Sequence, residues 1–219
     1  MTAIASATIE AAESATRRRL TEADRRLELV RVAEDVFLAQ GYTAANMDDV
    51  ARGARMSKKT LYQIFASKAA LFEAVIADHL APLKASAPEE QGDDPRAALT
   101  TLLEMAARHL LERRQIGIFR LISAEGKRAP ELAEAFHRAG PGGGEGSLER
   151  CIAAHARRGH LRVEDPGEAA SMLFGMAIGK MHMMLLLGLR QQPEAEEIAS
   201  MVARAVDIFL RGTLLPSVA

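Results

Sequence analysis

Apolar residues recur at helical spacing along almost the whole chain, and no stretch alternates polar and apolar residues with a period of two. The clearest stripe includes Leu29, Val32 and Ala33, in a segment predicted to be helical over residues 23–40. Gly41 follows in the position where a left-handed residue commonly ends a helix. The pattern predicts an all-α fold of nine or ten helices.

Two short helices are predicted after this turn, over residues 47–54 and 57–65. Asn46 precedes the first of them and is a favoured N-cap residue. Ser67 is placed to cap a longer helix that follows. Three short helices in close succession therefore precede the longer segments of the chain.

The rest of the chain continues the helical pattern. Asp94-Pro95 and Asp165-Pro166 each combine an N-cap residue with proline at the first helical position, so they mark two helix starts. The run GPGGGEG at 140–146 is the clearest flexible connection. Helices are predicted from residue 95 to about 110, as one or two segments within 116–139, and over 147–158, 166–188 and 193–211.

Charge is uneven along a chain that is nearly neutral overall. The 219 residues carry a net charge of −1, with 48% apolar and 26% charged residues, as in ordinary soluble globular proteins. Residues 16–68, however, hold eleven Lys or Arg against seven Asp or Glu, a local net charge of +4. Such a basic patch suits a polyanionic partner, although a solvated charged face would have the same composition.

Several classes of protein are disfavoured by the sequence. Cys151 is the only cysteine, so no intrachain disulfide can form. The N-terminus lacks the basic start and apolar run of a signal peptide, and the apolar run 172–189 is interrupted by Lys180 and His182. We expect a cytoplasmic protein without a membrane span. The six histidines and the glycine-rich run match no metal, phosphate-loop or nucleophile motif, so no metal, cofactor or catalytic residue is predicted.

The short segment 57–65 has the properties of a helix that enters the major groove of DNA. Leu61 and Phe65 stand four residues apart, so they share a face that is expected to pack on the core. The other faces carry hydrogen-bond donors and a flat ring, which a groove-binding helix needs. These residues are Lys58, Lys59, Tyr62 and Gln63.

Residues 29–72 resemble the DNA-binding domain of the tetracycline-repressor (TetR) family. The resemblance is carried by five landmarks without gaps. They are Gln40-Gly41-Tyr42, Met47-Asp48-Asp49-Val50-Ala51, Ser57-Lys58-Lys59-Thr60-Leu61-Tyr62, Phe65-Ala66-Ser67-Lys68 and Leu71-Phe72. It implies three parts: a flexible leader at 1–22, a helix-turn-helix domain at 23–72, and a helical effector-binding and dimerisation domain at 73–219.

The resemblance also implies a set of DNA-contacting residues. Tyr62 would pack on the DNA backbone or a base, Gln63 would read sequence, and Lys68 would hold a phosphate at the start of the fourth helix. Met47, at the start of the second helix, would touch the DNA backbone. The start of the recognition helix would meet phosphates and bases through Ser57, Lys58, Lys59 and Thr60.

Alternatives remain open at several of these positions. Tyr62 could instead belong to the core, and Gln63 could be a solvated side chain. Lys59 replaces a glycine that is common in the family, and Ile64 stands where His or Tyr is frequent, which leaves the operator sequence in doubt. The three arginines at 17–19 could form an arm on DNA, but a solvated charge run is the favoured interpretation.

In the TetR family the C-terminal domain dimerises through its last two helices, here expected at 166–188 and 193–211. Gly175 and Gly179, four residues apart, would let a partner helix approach closely. A stripe on the final helix would complete a four-helix interface, although a core pair within one monomer would have the same pattern. The stripe consists of Ile198, Met201, Val202, Ala205, Ile208 and Phe209.

The C-terminal domain is also expected to bind a small apolar or amphipathic effector. Segments 118–136 and 159–170 are similar to the AefR-like subgroup of TetR C-terminal domains, which supports the family without identifying an effector. Methionines are enriched in the 166–188 helix and suit adaptable pockets, although core or dimer packing would use them as well. The predicted lining residues are Met105, His109, Phe119, Met172 and Met176.

These features predict a transcriptional regulator that binds a double-stranded, near-palindromic operator as a homodimer, represses, and is released by its effector. An all-helical enzyme or carrier of apolar molecules is one alternative, and it would not bind DNA in a salt-dependent way. A protein-interaction module that keeps the helix-turn-helix only for packing is another. In that case the basic residues of the short helix would be dispensable.

Overall fold

The computed structural model describes residues 21–84, 92–139 and 146–215, and in these ranges the chain is helical with one isolated β-bridge between Leu161 and Leu214. Nearly all of the predicted leader, its arginines at 17–19 and most of the GPGGGEG connection lie outside the described residues. The helices are α1 (Glu22–Gln40), α2 (Met47–Gly53), α3 (Lys58–Ile64), α4 (Lys68–Lys84), α5 (Pro95–Leu110), α6 (Arg113–Glu125), α7 (Pro130–Ala139), α8 (Ser147–Arg157), α9 (Pro166–Phe174), a π-helical turn (Gly175–Gly179), α10 (Lys180–Leu186) and α11 (Ala195–Thr213).

The helix starts follow the predicted capping residues. Asn46 Oδ1 accepts a hydrogen bond from the Asp49 N–H at 2.9 Å, and Ser67 Oγ accepts one from Ala70 at 3.1 Å. Asp94 and Asp165 cap α5 and α9, each followed by proline at the first helical position. Helix α1 begins one residue earlier than predicted, because Thr21 and Asp24 form a capping box.

The N-terminal core is built around three aromatic rings. Phe37, Tyr42 and Phe72 contact one another with centroids 5.3 to 5.7 Å apart, and all three are buried. Leu61 and Phe65 of α3 are also buried, as the spacing predicted. The recognition helix is therefore held by one face on a core that α1 and α4 supply.

Helix α4 belongs to both parts of the molecule. Its first half, with Leu71 and Phe72, is buried in the N-terminal core, while Leu80 and Leu83 near its end face the C-terminal half. The predicted boundary at residue 72 thus falls inside one continuous helix. We therefore expect a shift of the C-terminal end of α4 to change the packing of the core that supports α3.

The C-terminal core corrects part of the predicted dimer interface. Helix α11 packs on α5 and the π-helical turn, and its apolar stripe is used within the chain. Four of the six predicted residues on this stripe are buried and a fifth, Met201, is half-buried, because the helix turns its hydrophobic face to its own core. The four are Ile198, Val202, Ala205 and Phe209, whereas Ile208 is 61% exposed.

The outer side of the helical segment Pro166–Leu186 is exposed and apolar. By length and composition alone this segment could cross a membrane, yet its other faces pack on α5, α8 and α11. Gly175 and Gly179 are both exposed, and a Cβ atom at either would meet nothing within 4 Å. Their neighbours on this surface include Met172, Met176 and Met183.

A partly buried polar junction connects α6 with α1 and α4. Arg114 of α6 donates hydrogen bonds to Glu34 and Asp35 of α1 at 2.7 and 2.9 Å, and His79 Nε2 of α4 lies 3.1 Å from the same Glu34 oxygen. Burial alone would raise the pKa of Glu34, but hydrogen bonding to His79 and Arg114 outweighs it and lowers the pKa to about 2.

Because of this junction, the free energy of unfolding should fall at low pH. The Glu34 carboxyl titrates near 4.5 when unfolded and about 2 when folded, so its contribution is complete above pH 4.5 and is lost as the pH falls towards 2. We expect the loss to be on the order of 3 kcal/mol in the free energy of unfolding, measured by denaturant titration. Glu34→Gln should flatten this part of the profile and the exposed Glu196→Gln should not; parallel profiles for both variants would contradict the assignment.

Candidate DNA-binding surface and ligand cavity

Helix α3 presents one polar face to solvent. Ser57 caps it, with Oγ accepting from the Thr60 N–H at 3.0 Å. Tyr62 is 50% exposed and Gln63 is exposed, so the alternative of a core tyrosine at 62 is excluded. The ring and the amide thus stand on the outer surface of the helix, opposite Leu61.

The basic residues at the start of α3 differ in their surroundings. Lys58 Nζ pairs with Asp48 of α2 at 2.5 Å, in an exposed contact that contributes little to stability and that DNA could displace. Lys59 is exposed and forms no ion pair with the described residues, and Thr60 is half-buried. Lys59 is therefore the cation of α3 that is most available to a phosphate.

Lys68 has a different environment from the one predicted. Its ammonium donates to the carbonyl oxygens of Tyr42, Thr43 and Ala45 at 2.8, 3.3 and 3.0 Å, and it lies 4.4 Å from the centre of the Tyr42 ring. An ammonium has three donors, and all three have acceptors here. Lys68 thus binds the turn between α1 and α2, instead of extending towards a phosphate.

Met47 also departs from its predicted place. Its side chain is only 7% exposed and belongs to the N-terminal core with Val50 and Ala51. Met47 faces inward because it stands three and four residues before Val50 and Ala51, on the buried face of α2. The predicted contact of the Met47 side chain with the DNA backbone is not compatible with this burial.

A second charged residue binds the same turn from the C-terminal half. The carboxylate of Glu125, the last residue of α6, accepts from the Tyr42 N–H at 3.0 Å, the Thr43 N–H at 2.7 Å and the Thr43 hydroxyl at 2.6 Å. The Thr43 hydroxyl is the main reason that the pKa of Glu125 is lowered. Sequence analysis missed this contact, since Glu125 lies more than 80 residues from the turn and carries no local motif.

Gly41 makes room for the Glu125 carboxylate. Its φ is +82°, and a Cβ atom here would lie 2.5 Å from Glu125 Oε1. The glycine that ends α1 thus meets two requirements at once, a left-handed backbone and close approach of a side chain.

A cavity of about 710 Å³ opens in the C-terminal half, beside the end of α4. Most of its wall is aliphatic or aromatic, and every helix from α4 to α10 contributes. Among the lining residues are Leu80, Leu83, Leu102, Met105, Phe119, Phe136, Ser147, Phe174, Ile178 and His182. The size and apolar character are those of a small-molecule site.

The structure separates the predicted lining residues into two groups. Met105 and Phe119 line the cavity. His109 does not, because its Nε2 lies against the His79 carbonyl and Gln115 outside the lining. Met172 and Met176 are 60% and 46% exposed on the outer side of the helix, since the cavity-facing stripe runs instead through Phe174, Ile178 and His182.

Other candidate chemistry is weak in the described residues. Cys151 is buried, and this burial raises the pKa of its thiol to about 11, which makes it a poor nucleophile. No group of three or more potential metal ligands occurs in the part of the chain that the structure describes.

Two family models match the chain, one over the N-terminal helices and one over most of the remainder. Residues 29–75 match the model for bacterial regulatory proteins of the tetR family. Residues 97–212, more than half of the chain, match the AefR-like transcriptional repressor C-terminal domain. The protein belongs to the TetR family. TetR regulators are DNA-binding proteins that respond to ligands and act as dimers, and they are not enzymes.

Individual TetR relatives agree with this assignment over different lengths. The transcriptional activator FasR of Mycolicibacterium smegmatis is 45% identical over 62 residues, a stretch that spans 28% of each chain. The flavonoid-responsive regulator FrrA is 28% identical, with a TM-score of 0.66 over 88% of this chain and 98% of its own. A structure from Mesorhizobium loti has the same fold, with a TM-score of 0.77 at 23% identity over 90% of this chain and 100% of its own.

The contact between Glu125 and the turn should support the TetR DNA-binding domain. Glu125→Ala leaves two backbone N–H groups without their acceptor, so we expect the free energy of unfolding to fall by about 1 to 2 kcal/mol in denaturant titration. Gly41→Ala should act in the same direction because its Cβ would displace the carboxylate. Ser123→Ala, an exposed change on the same helix, is the control; equal stability of all three variants would argue against the contact.

Proposed function

We propose that the protein is a cytoplasmic transcriptional repressor that binds a near-palindromic operator as a homodimer and is released by a small apolar or amphipathic effector. Its DNA-contacting residues are proposed to be Ser57, Lys58, Lys59, Thr60, Tyr62 and Gln63. Lys68 is proposed to act indirectly, by fixing the turn before α2.

The observation that carries this proposal is the position of α4. One helix contributes Leu71 and Phe72 to the core beneath α3, and Leu80 and Leu83 to the cavity wall. A ligand that displaces the end of α4 must therefore strain or move the DNA-binding domain. A coupling of about 1–3 kcal/mol would weaken operator binding 5- to 150-fold.

The effector is proposed to occupy the cavity. The apolar wall supports a ligand that is mostly hydrocarbon or aromatic. The similarity to FrrA, which is described as flavonoid-responsive, supports a compound of this class without identifying it.

The sign of regulation has support in two directions. The match to an AefR-like repressor domain covers the effector half of the chain and favours repression. FasR is described as an activator, but its match is confined to 28% of the chain. Reporter expression with and without the gene would decide between them: expression that falls in the absence of the protein would mean activation.

The homodimer is proposed to form through the exposed apolar surface that α9, the π-helical turn, α10 and α11 leave uncovered. Such a surface on the last helices needs a partner, and a two-fold dimer is the commonest solution. Ile208, Gly175 and Gly179 are exposed and are retained in this proposal. Further exposed apolar residues from α9 onwards include Met172, Met176, Met183 and Leu187.

Substitutions on α3 should separate phosphate contact from sequence recognition. Lys59→Ala should weaken binding to all DNA sequences and reduce the slope of log affinity against log salt by about 0.9 for each protomer. Gln63→Ala should leave that slope unchanged and broaden sequence preference. Both are measured by fluorescence anisotropy with a selected operator and with unrelated duplexes.

Lys68→Met is the comparison for Lys59→Ala, because it also removes a lysine of the DNA-binding domain. Because its ammonium is engaged by three carbonyls, we expect a lower free energy of unfolding and a salt slope like that of the wild type. An unaltered slope in Lys59→Ala would exclude Lys59 from the interface.

Dimerisation can be tested with two equally exposed residues. Ile208→Asp should weaken the dimer at least tenfold in sedimentation equilibrium, because an unpaired charge would be buried in the interface. Leu27→Asp on α1 has the same 61% exposure and should leave the dimer intact. Equal dimer affinity for the two variants would mean that Ile208 lies outside the dimer interface.

Selection of bound fragments from random DNA tests the function as a whole. A dimer with two recognition helices should select paired half-sites whose centres lie about 34–36 Å, one DNA turn, apart. Recovery of no enriched sequence would favour the carrier or interaction-module alternatives.

A further inference from the structure

The wall of the cavity contains a cluster of rings that packing alone does not require. Phe119 stands edge-on between two neighbours, with its centroid 5.0 Å from that of Phe136 and 4.5 Å from that of His182. Phe174 lines the same cavity. Three of the nine aromatic residues of the chain thus surround one space, which favours a ligand that itself contains rings.

His182 is a polar residue within this cluster of rings. Its Nε2 atom is buried without a hydrogen-bond partner among the described residues, and its ring packs edge-on against that of Phe119. A buried polar group without a partner costs free energy, so the site gains when an occupant supplies one. Burial lowers the pKa of His182, so the ring is neutral at physiological pH and has one donor and one acceptor nitrogen.

The charged residues of the wall do not select an ion. Glu149 and Arg150 both line the cavity, so the charges of the described lining cancel. The Arg150 guanidinium donates to Ser147 Oγ at 3.2 Å, and Ser147 Oγ donates in turn to the Leu83 carbonyl at 2.8 Å. A carboxylate ligand would find no surplus positive charge here.

We propose that the cavity binds an uncharged ring compound whose hydroxyl or carbonyl group forms a hydrogen bond with the imidazole of His182. This inference rests on the proposed effector function and specifies the ligand class for that site. An aliphatic chain with an ionised head could pack against the apolar wall. It would not stack with the rings, and it suits the uncharged imidazole of His182 less well than a neutral hydroxyl or carbonyl group does.

Matched probes test the hydrogen bond directly. Dissociation constants of 4-hydroxybiphenyl, biphenyl and dodecanoate are measured by ligand-observed NMR with the full-length protein. We expect 4-hydroxybiphenyl to bind about fivefold more tightly than biphenyl, the effect of one net hydrogen bond. Dodecanoate should bind more weakly than either ring compound.

Two substitutions then assign the preference to His182. His182→Phe keeps a ring beside Phe119 but has no hydrogen-bonding atom, so the two biphenyls should bind equally. His182→Gln keeps a donor and an acceptor and should restore part of the preference. His137→Phe, an exposed change outside the cavity lining, should behave as the wild type.

The outcomes distinguish this inference from the broader function. Equal binding of the two biphenyls to the wild type, a preference that survives in His182→Phe, or tighter binding of dodecanoate would overturn the assignment to His182. In the last case the cavity would still serve as an effector site. If none of the three probes binds, both the inference and the proposed effector site fail, while operator selection separately tests DNA binding.

Discussion

The structure depends on one helix that packs in the N-terminal core near its start and lines the cavity near its end. Helix α4 begins beneath the recognition helix and ends at the cavity, so the two hydrophobic cores cannot adjust independently. An α-helix bends little without proline, glycine or a bulge, and Pro82 lies only near the C-terminal end of α4. We therefore expect a change in the volume of the cavity to alter the orientation of the DNA-binding domain through the packing of α4.

The turn between α1 and α2 adds an electrostatic link to this mechanical one. Glu125 accepts from backbone N–H groups of the turn, and Lys68 donates to its carbonyl oxygens. Two side chains of opposite charge therefore hold the opposite poles of the peptide group between Tyr42 and Thr43, the carbonyl by Lys68 and the N–H by Glu125. One comes from α4 and the other from α6, the helix that also carries Phe119 into the cavity wall. The turn is accordingly held by two of the helices that line the cavity.

Local signals in the sequence were sufficient for the fold and for the exposed face of α3. These signals act over three or four residues and can be recognised without the rest of the chain. Examples are the caps Asn46 and Asp165 and the buried pair Leu61 and Phe65. The resemblance to the TetR family is confirmed by the matches to two family models, while the predicted division into domains stays a prediction.

The errors have a common physical origin. A helical stripe shows which residues share a face but not which neighbour that face meets. Met172 and Met176 do share a face, yet it points away from the cavity, and the stripe through Val202 packs on its own chain instead of a partner. Lys68 and Glu125 depend on contacts between distant segments, for which local spacing carries no signal.

The burial of Cys151 has a practical consequence for spectroscopy. With its thiol enclosed in the C-terminal core and resistant to ionisation, the native cysteine reacts slowly with maleimide or methanethiosulfonate reagents. A cysteine introduced on the outer surface of α3 would then carry a spin label selectively, without removal of the native residue. Pulsed electron resonance could record the separation of the two labels in a dimer with the cavity empty and filled.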